Sequence, residues 1–203
     1  MIMSMSDIYC VTSRSLCGEN FLKQIEMIAS CHPAGIILRE KDLPKEEYKI
    51  LAEQVMLICR RYQVSCILHS FADIALELGA EAIHFPLSIL RTMPSEIKEK
   101  FSIIGASCHS VEEAVEAQAL GCSYITAGHV FNTACKEGVP GRGIAFLQEV
   151  SSAVQIPVYA IGGIHPANAA QVRQAGADGI CLMSSLMLSE NIPELFRQME
   201  ETL

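Results

Sequence analysis

Eight short apolar runs, separated by longer amphipathic stretches, restrict the fold of this chain more than any other feature. Each run has four or five residues and is almost wholly apolar, which is typical of parallel strands that are buried on both faces. The predicted strands are Ile8–Val11, Gly35–Leu38, Val64–Leu68, Ala82–Phe85, Ile103–Ala106, Tyr124–Ala127, Val158–Ile161 and Gly179–Met183.

The stretches between the runs carry apolar residues at helical spacing, as Phe21, Ile25 and Ile28 illustrate. A glycine stands directly after three of these stretches, at 79, 121 and 176, where it favours the end of a helix. Ser110 precedes a pair of glutamates and is expected to cap a helix start. The predicted helices are Phe21–Ala29, Glu46–Arg61, Phe71–Leu78, Ser95–Phe101, Val111–Leu120, Ala145–Ala153, Ala167–Ala175 and Pro193–Glu200.

Eight strand–helix units in 203 residues predict an α/β fold, a single-domain (β/α)8 TIM barrel spanning residues 1–203. A doubly wound open sheet is the alternative, but it normally has five or six strands and a glycine-rich turn after the first. The turn after Ile8–Val11 reads Thr12-Ser13-Arg14-Ser15-Leu16 and contains no glycine. In a barrel, the functional residues are expected at the carboxyl ends of the strands.

Composition excludes several classes of partner. Half of the chain is apolar, and the net charge of −8 disfavours a nucleic-acid surface. No apolar run reaches the roughly 18 residues of a membrane helix, and Met1–Asp7 lacks the basic and apolar pattern of an export signal. Nine cysteines without a CxxC pair indicate reduced thiols. We therefore expect a cytoplasmic protein with no nucleic-acid or membrane partner.

Polar residues at the first strand ends are cations and histidines rather than carboxylates. Arg39 and Lys41 follow the second strand and are candidates for binding a phosphate or a carboxylate, although a charged loop is an ordinary alternative. His69 and His84 accompany the third and fourth strands, and structural histidines are the more common interpretation. With no Asp or Glu at these two ends, we expect no metal site, because Mg²⁺ prefers carboxylate oxygens.

The fifth and sixth strands lead to the candidate catalytic residues. Ser107 and His109 are expected at the barrel mouth, and nothing else supports Cys108 as a nucleophile paired with that histidine. The loop from Gly128 to Gly143 is long and shaped by four glycines and a proline. His129 directly follows a strand and a glycine in this loop, and histidine is the commonest general acid or base.

The last two strand ends predict a phosphate site. Two adjacent glycines, Gly162 and Gly163, follow the seventh strand and allow a close approach to the backbone. Met183 and Ser184 stand at the end of the eighth strand. These two loops often bind a phosphate through N–H groups in barrel enzymes, so we expect the four residues to hold one.

Three segments together resemble the thiamine phosphate synthase family: Leu38–Lys41, Ala160–Ile164 and Ala175–Gly179. The resemblance runs from roughly Ile8 to Ser185 and implies a TIM barrel that forms a homodimer. A synthase of this family carries Asn-Asp at the end of strand 3 and an acidic residue after strand 4, which hold Mg²⁺ and a pyrophosphate. This chain has His69-Ser70 and Leu87-Ser88 there.

The loop Gly128–Gly143 is similar to that of the thiazole tautomerase branch of the same family. That resemblance implies a metal-independent isomerase without a cofactor. Its substrate would be a dihydrothiazole carboxylate phosphate and its product the aromatic carboxythiazole phosphate, with His129 as the acid/base. The substrate-binding candidates are then Arg39, Lys41, Ser107, His109, Thr133, Lys136, Gly162, Gly163, Met183 and Ser184. A non-catalytic phosphate-binding regulatory protein is the first alternative, and a thiamine phosphate synthase is the second.

Overall fold

Each of the eight strands within residues 7–203 pairs in parallel with its sequence neighbours, and the first strand pairs with the eighth to close the barrel. The computed structural model describes residues 7–203, so the expectation based on Met1–Asp7 lies outside it except for Asp7. The closed order confirms the predicted (β/α)8 barrel. The strands are β1 Ile8–Val11, β2 Gly35–Leu38, β3 Cys66–His69, β4 Ala82–Pro86, β5 Ile103–Cys108, β6 Tyr124–Gly128, β7 Val158–Ile161 and β8 Gly179–Leu182.

Helices surround the barrel. They are α1 Arg14–Cys17, α2 Phe21–Ser30, α3 Lys45–Tyr62, α4 Ala72–Glu77, α5 Leu87–Thr92, α6 Ser95–Lys98, α7 Val111–Ala119, α8 Gly143–Ala153, α9 Pro166–Gln174, α10 Ser184–Met187 and α11 Ile192–Glu200. Short 3₁₀ turns add Gly18–Asn20 and Ala134–Lys136. Between Asp7 and Leu203, no helix combines the length and apolarity required to cross a bilayer.

The helix ends that Ser110 and three glycines predict are confirmed, whereas the helix predicted at Ser95–Phe101 ends at Lys98. The Ser110 hydroxyl accepts a hydrogen bond from the Glu113 N–H at 3.1 Å and so caps α7. The glycines at 79, 121 and 176 have φ angles of +66°, +89° and +89°, the left-handed conformation that ends a helix without the steric cost of a Cβ.

Several strand ends differ from the prediction in a way that matters for the site. Strand β5 continues to Cys108, so Ser107 lies within the strand and pairs with Thr126 of β6, not in the loop beyond it. His69 is the last residue of β3, and β8 ends at Leu182. In β3 and β5, polar residues near the barrel mouth end the apolar run before the strand itself ends.

The barrel interior is filled on its amino-terminal side by three tyrosines. Tyr9 stacks on Tyr124 with ring centroids 5.5 Å apart, and Tyr159 meets Tyr9 edge-on at 4.7 Å. A Cβ at each of three facing glycines would approach a neighbouring side chain within 2.8 Å, at Gly35, Gly105 and Gly179. The interior is therefore closed at this end and open only toward the carboxyl ends of the strands.

Candidate active site

A cavity of about 440 Å³ opens at the carboxyl ends of the strands. All eleven residues expected at the site from the sequence line it: Arg39, Lys41, Ser107, His109, His129, Thr133, Lys136, Gly162, Gly163, Met183 and Ser184. Sequence reasoning missed several other lining residues, including Arg91, Glu113 and Thr126. The barrel topology brings together side chains from strand ends that lie far apart in the chain.

His129 is half-buried in the cavity wall. The peptide bond that joins it to Gly128 is cis. Its Nε2 lies 3.1 Å from the carbonyl oxygen of Val139, on the far side of the same loop. Because a carbonyl can only accept, Nε2 carries the proton of the neutral ring and donates it here. The other nitrogen, Nδ1, therefore keeps its lone pair.

The carbonyl of Gly128, directly before His129, is fixed by two donors. His109 Nδ1 donates to it at 2.7 Å, and Arg142 Nε donates at 3.2 Å. The backbone N–H of Val130 donates to Ile161 of β7 at 2.9 Å. Hydrogen bonds on both sides of His129 thus hold its backbone, and His109 serves this purpose although the sequence indicated only a substrate contact.

Gly162 and Gly163 adopt φ angles of +103° and +66°, which other residues rarely adopt. A Cβ on Gly162 would lie 2.8 Å from the Cα of His129, and one on Gly163 would lie 2.8 Å from the Cβ of Phe131. The β6 loop therefore rests directly on this glycine pair. Within residues 7–203, no loop or cap hydrogen bond uses the N–H groups of Gly162, Gly163, Met183 or Ser184, which leaves them available to an anion.

Three cations, Arg39, Lys41 and Lys136, lie together in the cavity wall. Burial lowers the pKa of Arg39, and burial followed by the charges of Arg39 and Lys136 lowers the pKa of Lys41. The side chains of Arg39 and Lys41 have no hydrogen-bond or ion-pair partner in the described part of the chain. Unpaired cations that repel one another favour the binding of an anion, because the anion removes that repulsion.

A buried carboxylate positions Arg39. Glu40 accepts hydrogen bonds from the Thr12 hydroxyl at 2.5 Å and from the Arg14 N–H at 3.0 Å. The Thr12 oxygen in turn accepts the N–H of Arg39 at 3.0 Å. Burial raises the pKa of Glu40, while these hydrogen bonds oppose the rise. The end of β2 is thus tied to the end of β1, and the Arg39 side chain is directed into the cavity.

His69 and His84 stack with ring centroids 5.8 Å apart at the base of the cavity. Burial is the main cause that lowers the pKa of His84 to about 3 and the pKa of His69 to about 2, and nearby cations add to it. Both rings are therefore neutral at physiological pH. Each has a protein hydrogen-bond partner, in agreement with the structural interpretation of these histidines.

The donor atoms around the cavity do not fit the Mg²⁺ that a synthase of this fold would need. Glu113 is the one carboxylate that lines the cavity among the described residues, and it accepts the N–H of His109 at 2.6 Å. Nowhere in residues 7–203 do three His, Cys, Asp or Glu side chains come together in a way that could hold a metal ion. Cys108 is no nucleophile either, because burial raises the pKa of its thiol to about 12.

Fold and cavity together define a (β/α)8-barrel protein whose cavity, at the carboxyl ends of the strands, is lined by cations and by backbone N–H groups suited to an anion. Residues 8–186 match the model of a protein family described as "Thiamine monophosphate synthase". The chain belongs to this family, as the resemblance predicted.

Relatives with this name cover nearly the whole chain. A thiamine-phosphate synthase of Fusobacterium nucleatum is 34% identical over 186 residues, which are 89% of this chain and 88% of the relative. A putative thiamine-phosphate synthase 2 of Aquifex aeolicus is also 34% identical and covers 91% and 100%. The solved thiamine phosphate pyrophosphorylase of Pyrococcus furiosus superposes with a TM-score of 0.83 at 30% identity, covering 96% and 94%.

These comparisons establish an enzyme family of thiamine biosynthesis, but they do not distinguish its tautomerase branch. The relatives are named as synthases, which are transferases, so their names agree better with the synthase alternative than with the expected isomerase. The expected homodimer stays a prediction.

Proposed function

We propose that the protein is an isomerase that aromatises a dihydrothiazole carboxylate phosphate by moving one proton. The observation that carries this proposal is the setting of His129. Its Nε2–H donates to the Val139 carbonyl, so Nδ1 is left as the basic nitrogen in a cavity that has anion-binding groups but no carboxylate pair for a metal ion.

Two separate groups of donors suit a substrate with an anion at each end. The phosphate would bind the N–H groups of Gly162, Gly163, Met183 and Ser184, and Thr133 lies on the same cavity wall. The ring carboxylate would bind the cations at Arg39, Lys41 and Lys136. Such a substrate is fixed at both ends, which places its ring between them and next to His129.

The proton shift follows from this pose. Nδ1 of His129 takes the proton from the ring carbon that bears the carboxylate, and the electron pair left behind moves through the ring toward the exocyclic double bond. The outer carbon of that bond then takes the proton back from the imidazolium, which leaves an aromatic ring and neutral histidine. The Val139 carbonyl stabilises the imidazolium, and the cations stabilise negative charge on the substrate.

A thiamine phosphate synthase is the second candidate, and the names of the relatives favour it. Its reaction displaces pyrophosphate, which the three cations could bind. The mismatch between the cavity and Mg²⁺ counts against it, because this family resemblance assigns the metal to acidic residues where Ser70 and Ser88 stand.

One experiment separates the candidates. The purified protein is mixed with freshly prepared dihydrothiazole tautomer, and growth of the aromatic thiazole absorbance is followed for wild type, His129→Asn and His32→Asn, the last a histidine outside the cavity. We expect fast conversion that falls about 10²–10⁴-fold in His129→Asn alone.

A parallel assay supplies the carboxythiazole phosphate, the pyrimidine pyrophosphate and Mg²⁺. If pyrophosphate is released in this assay and the protein does not accelerate conversion of the tautomer, the protein is a synthase and not an isomerase. A protein that binds the phosphate but accelerates neither reaction would be the non-catalytic regulator.

A further inference from the structure

A chain of hydrogen bonds runs from the barrel interior to the cavity through Tyr124, His84 and Ser107. The Tyr124 hydroxyl lies 3.0 Å from His84 Nδ1, and His84 Nε2 lies 2.9 Å from Ser107 Oγ. His84 and Ser107 line the cavity, whereas Tyr124 is buried below them and does not. A Cβ on Gly105 would lie 2.6 Å from His84 Nδ1, so this glycine leaves the space in which the first bond forms.

The surroundings of Tyr124 fix the direction of this chain. Its hydroxyl has one hydrogen-bond partner in the described residues, which is His84 Nδ1. If Nδ1 donated, the buried phenol hydrogen would have no acceptor, and leaving such a group unpaired costs about 1–3 kcal/mol. Tyr124 therefore donates and Nδ1 accepts. The proton of the neutral ring then sits on Nε2, which donates to Ser107.

Ser107 completes the chain at the cavity. Its oxygen accepts from His84, and the hydroxyl of Thr126 lies 3.5 Å from the same oxygen on a second side. The hydrogen of Ser107 is then free to point toward the cavity. Since burial lowers the pKa of His84 to about 3, the ring stays neutral and cannot donate from both nitrogens.

We propose that Tyr124 and His84 are positioning residues that hold the Ser107 hydroxyl as a hydrogen-bond donor to the carboxylate of the substrate. The identity of this acceptor rests on the proposed function. A serine hydroxyl can ordinarily donate or accept, but here the hydrogen bond from Tyr124 to His84 sets the direction for Ser107. The site thus selects a hydrogen-bond acceptor at this point of the ligand and disfavours a donor.

Binding of the carboxythiazole phosphate, measured by calorimetry, tests the chain. Ser107→Ala removes a donor to a charged group, so we expect about 10- to 100-fold weaker binding. Tyr124→Phe removes one oxygen outside the cavity, and we expect about 3- to 10-fold weaker binding. The double variant should bind as Ser107→Ala does, within about twofold, because Tyr124 acts only through Ser107. Tyr159→Phe is the matched control and should bind like the wild type.

Inorganic phosphate is the second probe. It binds at the glycine loop in the proposed pose, so its affinity should not change in any of these variants. The third readout is the protonation of His84 in nitrogen-15 NMR spectra of wild-type protein, where we expect a protonated Nε2 and an unprotonated Nδ1. Thermal denaturation confirms that the isosteric variants are folded.

The outcomes separate this inference from the proposed function. A protonated Nδ1, or a Tyr124→Phe effect that persists in the Ser107→Ala background, overturns the chain while the isomerase stands. Wild-type protein that binds phosphate but not the carboxythiazole phosphate overturns both the proposed substrate and the role of Ser107 in holding it.

Discussion

Replacing Gly162 by alanine tests whether the loop after β7, the proposed phosphate site, also positions His129, the proposed acid/base. The new Cβ would lie 2.8 Å from the Cα of His129 and closer still to its Cβ, whereas ordinary contacts begin at 3.4 Å. The backbone of His129 must therefore move by about 0.6 Å or more. The neighbouring hydrogen bonds to Ile161 and Gly128 oppose that movement.

Both activity and stability should respond. A misplacement of about 1 Å at a reacting group costs on the order of a hundredfold in rate, so we expect kcat to fall about 10- to 100-fold. The left-handed backbone at Gly162 adds about 1–2 kcal/mol of destabilisation in any residue with a Cβ, and overpacking adds about 1–3 kcal/mol. For a chain of this size, Tm falls by about 2–4 °C per kcal/mol.

Gly121→Ala is the matched control, because Gly121 has a φ of +89° but no atom within 4 Å of its added Cβ. It should lower Tm by the backbone cost alone and leave kcat unchanged. The assay is growth of the thiazole absorbance beside a thermal denaturation curve. If folded Gly162→Ala keeps the wild-type kcat, or if Gly121→Ala loses as much activity, contact with Gly162 does not position His129.

Two further variants probe charge. Arg39→Met should weaken binding of the carboxythiazole phosphate about 10- to 100-fold but leave the unliganded protein no less stable, since the guanidinium has no partner within residues 7–203 and repels Lys41. Calorimetry measures the binding, and thermal denaturation with and without ligand measures the stability. A lower stability of the unliganded variant would contradict this prediction. Burial lowers the pKa of His84 from 6.5 to about 3, so the folded state binds one proton fewer than the unfolded state between these pH values. The contribution of His84 to the free energy of unfolding is therefore present above pH 6.5 and is lost as pH falls toward 3. His84→Gln should reduce the fall in unfolding free energy between about pH 5.5 and 4 by about 1.4 kcal/mol per pH unit in urea titrations, and an unchanged slope would contradict a buried neutral histidine.

The barrel was predictable because its information is local. A buried parallel strand is a short apolar run whatever it pairs with, and three predicted strands, Ile8–Val11, Gly35–Leu38 and Val158–Ile161, have the observed bounds. Glycines after helices mark where the next strand begins. Eight such units leave few topologies that bury all strands, so the closed order followed from the count.

Side-chain pairing inside the barrel was not predictable in the same way. The short helices α1, α5 and α10 have only four to six residues, too few to show a helical period. The contacts of Glu40 with Thr12 and Arg14, and of His84 with Tyr124, join residues 26 to 40 positions apart. Which side chains meet there depends on strand register, and the sequence does not display register in a parallel barrel.

Side-chain contacts that depend on strand register also explain why family membership leaves the reaction open. The proposed anion sites, the backbone of the β7 and β8 loops and the cations after β2, suit an isomerase and a synthase equally. The reaction is decided by the few groups that reach the middle of the substrate. In the proposed pose His129 reaches it, and its Nδ1 has no hydrogen-bond partner within residues 7–203. Ser70, at the position the resemblance assigns to a metal ligand, is hydrogen-bonded to His69 at 2.7 Å. Relatives named as synthases can therefore share the proposed anion sites with this chain, while the residues between those sites are the basis for proposing proton transfer.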